Sequence, residues 1–341
     1  MSEKPAPSRL GEFSLIERYF APLATSIGAA HLQDDAAVFA PDTGCELVVT
    51  KDMLMAGVHF FENDPPFAVA QKALGVNLSD LAAKGAIPKG YLLGLGLSDD
   101  IGEEWIAEFC RGLKAVQDRF GIDLLGGDTI SCPKGPLLSI TAFGNVPIGD
   151  VVRRNTAVAG AKLYVTGSIG DAALGLKLRL DEGLAAQVGL SDAERDFLLD
   201  RYLLPQPRVS AADALRDYAV AAMDISDGLV GDLGHMCRTS KVQARVILED
   251  VPYSSAASAM IAKNREFLET AISGGDDYEI LAAIMPENCT AFENALTATG
   301  LAVTQIGDLQ TLDAGQEQGT VELIWHDEPF ILRGAAGFRH F

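Results

Sequence analysis

The sequence predicts an α/β (α+β) protein of two domains, and three observations carry that prediction. Strand-like runs and helix-period runs alternate in both halves of the chain. The 341 residues suit about two domains at roughly 100–200 residues each. Apolar residues at 48% and charged residues at 22% lie near the usual globular values of about 45–50% and 25%, so each half can bury a core.

In order along the chain, residues 13–20 read as a helix followed by a loop. Alternation and β-branched content predict short strands at 36–39, after Asp34-Asp35, and at 46–50, ahead of Asp52. Pro66 opens a helix over 66–83 with Phe67, Ala70, Leu74, Leu78 and Leu81 on one stripe and Asp80 near its end. Residues 103–120 repeat that period through Trp105, Phe109, Leu113, Val116 and Phe120, and Gly121 is placed to end the helix. A short strand at 122–125 runs into Gly126-Gly127-Asp128-Thr129, and 137–146 is another strand. A boundary near Gly149 gives an N-terminal domain 1–149 and a C-terminal domain 150–341. The second half opens with a strand at 161–166, a glycine loop at 167–171 and a helix to about 180. Helices are expected at 193–202, 207–218, 228–239 and 256–270, and strands near 219–223, 244–248, 278–283 and 302–306.

Charge and composition exclude several function classes. Lys and Arg total 27 against 47 Asp and Glu, a formal charge of −20, which leaves no basic face for nucleic acid. No run reaches the roughly 18 apolar residues of a membrane span, and Met1 to Leu10 lack the apolar core of a signal peptide, so a cytoplasmic protein is expected. The five cysteines form no C-x-x-C pair and read as reduced thiols. A P-loop, the protein-kinase signatures and a G-x-S-x-G elbow are absent, and no two histidines share metal-ligand spacing.

Five segments place Asp beside Gly or a small hydroxyl residue: Gln33-Asp34-Asp35, Thr50-Lys51-Asp52, Gly126-Gly127-Asp128-Thr129, Asp224-Ile225-Ser226-Asp227-Gly228 and Ser273-Gly274-Gly275-Asp276-Asp277. Any one of them reads as a turn. Together they suit Mg²⁺, which takes one or two carboxylates per ion while substrate phosphates complete its shell, and small neighbours let a polyanion approach the backbone. Gly167 to Asp171 is either a phosphate-binding helix start or an ordinary strand-to-helix turn. Arg153-Arg154 is either a phosphate clamp or a solvated pair, and His59 either a ligand donor or structural.

These motifs carry a resemblance. Gly11-Glu12-Phe13-Ser14-Leu15-Ile16, Val76-Asn77-Leu78-Ser79-Asp80-Leu81-Ala82-Ala83, Gly126-Gly127-Asp128-Thr129, Tyr164-Val165-Thr166-Gly167, Asp224-Ile225-Ser226-Asp227-Gly228-Leu229 and Ser273-Gly274-Gly275-Asp276-Asp277-Tyr278-Glu279 together resemble the thiamine-monophosphate kinase family. The middle motifs are shared with aminoimidazole ribonucleotide synthetase, selenophosphate synthetase and the hydrogenase-maturation dehydratase. The first two are closer to the thiamine kinases.

The resemblance implies a two-domain fold like that of aminoimidazole ribonucleotide synthetase. Its N-terminal α/β domain forms the sheet of a homodimer, and ATP lies between the domains. By motif position it implies Asp35, Thr50, Asp52, Asp80, Asp128, Asp224 and Asp227 as metal ligands for several Mg²⁺ ions. Gly127, Asp128, Arg154 and Ser226 would meet ATP, and His59 and Asp276 would meet thiamine monophosphate. The acceptor is a phosphate oxygen already ionised near neutral pH, so no general base is expected. The chain departs from the family pattern at Gln33, Lys51, Asp276 and Ala335. Ala335 stands where the family places a stacking aromatic, for which Trp325 and Phe338 are the alternatives. Two rival readings are a sibling ATP-dependent synthetase and a non-catalytic nucleotide-binding relative.

Overall fold

The computed structural model describes residues 10–312, 315 and 317–338. The reading of the extreme N-terminus lies largely outside those residues, as do the last three positions of the chain. The chain forms two compact units, one of residues 1–81 and 87–149, the other of 82–86 and 150–341.

In the first unit a helical turn, α1 (Glu12–Leu15), leads into π and 3-10 turns. Strand β1 (Cys45–Met55), helix α2 (Pro66–Ala83), β2 (Ile87–Leu97), α3 (Glu103–Phe120), β3 (Asp123–Ser131) and β4 (Leu137–Pro147) follow. The sheet order is β1-β4-β2-β3, antiparallel except for the β2–β3 pair. Both predicted long helices appear with the predicted bounds. The α3 stripe Ile106, Phe109, Leu113 and Val116 is buried, and Gly121 ends the helix in the left-handed conformation at φ 65°. The strands bury one face through Leu138, Ile140 and Ala142. The other face leaves Leu47, Val49 and Met53 exposed on β1.

The second unit is built on a seven-stranded mixed sheet. Its strands are β5 (Lys162–Thr166), β6 (Ala219–Asp224), β7 (Val242–Ile247), β8 (Ile280–Ile284), β9 (Val303–Thr311), β10 (Val321–Trp325) and β11 (Glu328–Pro329), in the order β11-β10-β7-β9-β5-β8-β6. Its helices are α4 (Asp171–Leu180), α5 (Leu184–Val188), α6 (Asp192–Leu203), α7 (Ala212–Tyr218), α8 (Leu229–Ser240), α9 (Ser255–Ile261), α10 (Arg265–Ser273) and α11 (Cys289–Ala298). Both sheet faces are covered, and alternate residues of one strand serve separate cores. Leu281 and Ala283 of β8 pack with Leu233 and Met236 of α8, while Ile280, Ala282 and Ile284 pack with Leu215 of α7 and Phe292 of α11.

Several sequence expectations are corrected. Residues 36–39 are not a strand; Val38 makes one backbone bond, to Gly28, and has no partner strand. β1 runs on past residue 50, so Asp52 lies within the strand rather than after it. Gly126-Gly127-Asp128-Thr129 likewise lies inside β3. β2 is a strand that the sequence does not signal, because Gly90, Gly94 and Gly96 break its apolar run. The helix expected over 256–270 is two helices, the second capped by Asn264, whose side chain accepts from the Glu266 amide.

Candidate functional site

In the first unit the predicted residues fall into two groups. On the α2 side of β1, the Thr50 hydroxyl donates to the Asp80 carboxylate. Asn77, fully buried, fixes the strand there by accepting from the Asp52 amide at 3.1 Å and donating to the Ala73 carbonyl at 3.0 Å. Burial first, and then the neighbouring Asp80 carboxylate, push the Asp52 carboxyl up to about 6, against an opposing pull from Lys51. Two carboxylates held in this way are a ready partner for a cation.

The second group lines a cleft of about 780 Å³ over the open face of the sheet, a volume typical of small-ligand sites. Asp34, Asp35, Gly127, Asp128 and Thr129 line it beside Leu92 and Phe39. Gly127 is required by close approach, since a Cβ there would sit 2.0 Å from the Leu93 carbonyl oxygen. The Lys51 ammonium donates to Ser139, another residue of this cleft.

The two groups do not hold a common ion within a single chain. Asp52 pairs with Ile140, Ile140 with Leu93 and Leu93 with Gly127, so Asp52 and Asp128 stand on opposite edges of the sheet. Three strand spacings separate those edges, roughly 14 Å, against the 2.0–2.1 Å of a Mg²⁺–oxygen bond. Among the described residues no three His, Cys, Asp or Glu side chains converge as a preformed metal cage. His59 accepts from the Met55 amide through Nδ1 at 3.1 Å, which orients its ring from its own turn.

In the second unit, Asp224 ends β6 at 8% exposure and Ser226 and Asp227 follow in the turn before α8. A cleft of about 640 Å³ opens beside that turn, with Asp227, His235, Arg238 and Phe338 among its lining residues. Trp325 instead lies on β10, packed against the core and 4.7 Å from the His326 ring. The Arg154 backbone is anchored by Ser240, whose hydroxyl donates to its carbonyl at 3.2 Å, while the residue itself is exposed.

The glycine loop at 167–171 resolves against phosphate. The Gly170 and Ala172 amides at the start of α4 donate to the buried Asp277 carboxylate at 2.7 and 3.4 Å, so an internal anion already takes them. The Glu279 carboxylate fills the space beside Gly167, held by the Thr166 hydroxyl at 2.7 Å and by two nitrogens of Arg208. Burial pushes the Asp277 and Glu279 carboxyls up, and for Glu279 the Arg208 guanidinium opposes that rise. Asp277 and Glu279 are therefore structural, whereas the Asp276 carboxylate accepts from the Tyr278 hydroxyl at 3.4 Å. Arg208 and Asp232 carry no motif signal: the role of Arg208 appears only through Glu279, 71 residues away, and that of Asp232 through the amides of residues 226–228.

Two domain models match the chain: "AIR synthase related protein, N-terminal domain" over residues 33–146 and "AIR synthase related protein, C-terminal domain" over 158–316. The fold is thus that of the AIR synthase-related proteins. A thiamine-monophosphate kinase from Caulobacter vibrioides is 42% identical over 309 residues, covering 89% of this chain and 85% of its own. The crystal structure of thiamine-monophosphate kinase from Stenotrophomonas maltophilia K279a matches with a TM-score of 0.77 at 37% identity, covering 86% of this chain and 89% of that one. A structure described as AaThiL complexed with AMPPCP and TMP matches with a TM-score of 0.73 at 29% identity, covering 98% of this chain and 99% of that one. The chain belongs to the thiamine-monophosphate kinase family.

Proposed function

We propose that this protein transfers the γ-phosphoryl group of ATP to thiamine monophosphate, giving thiamine diphosphate and ADP. The observation that carries the reading is the Thr50–Asp52–Asp80 group: two neighbouring carboxylates, Asp80 held by the Thr50 hydroxyl and Asp52 driven up to about 6, in a chain of this family. The sibling-synthetase and nucleotide-sensor readings are not favoured by relatives and neighbours that are thiamine-monophosphate kinases.

The metal assignment is part of the proposal. Asp52 and Asp80, with Thr50 orienting Asp80, fit Mg²⁺ by donor chemistry and by their mutual repulsion. Asp35 and Asp128, and Asp224 and Asp227, supply further hard oxygen ligands. Bound Mg²⁺ would neutralise the two phosphate groups that must meet in a chain of net charge −20. The chain's own residues then bind and orient. Gly127 opens the backbone of β3 to the nucleotide, Ser226 and Arg154 contact its phosphates, and His59 and Asp276 position the acceptor, the latter by pairing with the cationic thiazolium. The acceptor phosphate needs no base.

A homodimer belongs to the same reading. Leu47, Val49, Met53, Leu92 and Ile130 are exposed on the sheet of the first unit, an apolar surface that a second copy would cover. The five cysteines are all free, which supports a reducing compartment such as the cytoplasm. Among the described residues no helix is long and apolar enough to cross a membrane.

The test is chromatographic: purified protein with ATP and thiamine monophosphate, with Mg²⁺ or excess EDTA, following thiamine diphosphate and ADP together. Equimolar, metal-dependent formation of both is expected. ATP loss without thiamine diphosphate, or no turnover, would overturn the assignment.

A further inference from the structure

Asp232 lies on the first turn of α8 and is 3% exposed, with its carboxylate aimed back at the loop before the helix. Its Oδ2 alone accepts from three consecutive amides, those of Ser226 at 3.0 Å, Asp227 at 2.9 Å and Gly228 at 3.2 Å. The carbonyls of the same loop face other segments. Ile225 O accepts from the Tyr278 amide at 2.8 Å, Ser226 O from the Asp276 amide at 2.9 Å, and Asp227 O from the Phe338 amide at 3.0 Å.

The loop is therefore a hub: one carboxylate gathers its donors, and its acceptors hold the acceptor-side loop and the C-terminal segment. The hub is tightly packed, since a Cβ on Gly275 would lie 2.3 Å from Ser226 O. Asp276 and Tyr278 hold left-handed backbone at φ 75° and 51°, a conformation that persists only where the surroundings over-determine it. Two of the bonds that do so come from this loop. Without Asp232, three buried or half-buried amides would lose their common acceptor, and the loop would turn to find others.

We infer that Asp232 is a positioning residue for phosphoryl transfer: it holds the loop carrying Asp224, Ser226 and Asp227 and, through that loop's carbonyls, sets the orientation of Asp276. The inference rests on the thiamine-monophosphate kinase reading, and it predicts that both sides of the reaction fail together when Asp232 is removed.

The experiment compares the full-length wild type, Asp232→Ala and Asp232→Asn by steady-state kinetics and by amide hydrogen exchange. In Asp232→Ala, kcat falls about 100-fold and KM for thiamine monophosphate rises about tenfold, the scale of a 1 Å misplacement. Asp232→Asn keeps a side-chain oxygen acceptor, restores most of KM and recovers about tenfold in kcat. Protection is lost together at the amides of 226–228 and of 276 and 278 in Asp232→Ala. Folded Asp232→Ala with wild-type kcat and KM overturns the inference. So does faster exchange at 226–228 with 276 and 278 unchanged. If Asp232→Ala does not fold, Asp232→Asn decides: wild-type kinetics and exchange in that variant overturn the inference. A wild type that makes no thiamine diphosphate overturns the functional reading instead, and the exchange comparison then decides the coupling by itself.

Discussion

The Thr50 hydroxyl donates to the Asp80 carboxylate, tying the middle of edge strand β1 to the last turn of α2. This contact keeps Asp80 turned toward the strand although Asp52, a like charge, stands one pleat away. Thr50→Val removes the donor and lets the two carboxylates separate. The expected result is a roughly tenfold lower kcat and a higher Mg²⁺ concentration for half-activation, with Thr50→Ser close to wild type; the effect is of the size of a lost hydrogen bond to a charged group, about 1.5–3 kcal/mol. Titrating activity against Mg²⁺ in both variants checks it.

Asp52 gives a pH signature. Its folded-state value of about 6 lies above the usual 3.8, so the folded state holds that proton more tightly than the unfolded chain. The destabilisation that comes from ionising it is absent below the unfolded value and fully present above pH 6. In metal-free buffer, Asp52→Asn should match wild type in unfolding free energy near pH 4 and exceed it near pH 7, by on the order of 2 kcal/mol. A difference independent of pH would contradict the assigned shift.

On the proposed metal assignment, turnover should depend on the aspartates more than stability does. Asp52→Asn and Asp128→Asn should each lose on the order of 10²-fold or more in kcat while keeping the circular dichroism of wild type. Near-normal activity in either purified variant would remove the metal-ligand assignment for that residue.

The Arg208–Glu279 pair should behave in the opposite way. Glu279 is 4% exposed, and Arg208→Met leaves its carboxylate buried without its ion-pair partner. Unfolding by urea should show a loss of about 3–5 kcal/mol, part of which returns in Arg208→Met/Glu279→Gln because the second change removes the stranded charge. Additive losses in the double variant would mean the pair is not coupled.

In the proposed homodimer the open sheet face is the interface. Val49 is 53% exposed and Met53 51% exposed on the outward face of β1, on either side of Lys51. Val49→Asp with Met53→Asp would bury two charges against a second copy, so light scattering should report a dimer for wild type and a monomer for this variant. A wild type that is monomeric at micromolar concentration would refute the dimer.

Amino-acid order alone determined the features whose cause is local. α2 and α3 were legible to the residue because a 3.6-residue apolar period runs through each, with Pro66 opening one and Gly121 closing the other. The family motifs were legible too, and with them the candidate aspartates. Tertiary structure decided where the cause is a distant partner. Residues 36–39 have strand-like side chains and no strand to pair with, whereas β2 is rich in glycine yet is held from both sides by β3 and β4. Asp276, Asp277 and Glu279 belong to one motif, but Glu279 is claimed by Thr166 and Arg208, 113 and 71 residues away, and Asp277 by the start of α4. Spacing along a chain records which residues share a face. Whether a carboxylate on that face becomes a buried strut or a ligand depends on which donors the rest of the fold brings to it, because burial without a partner is too costly to persist.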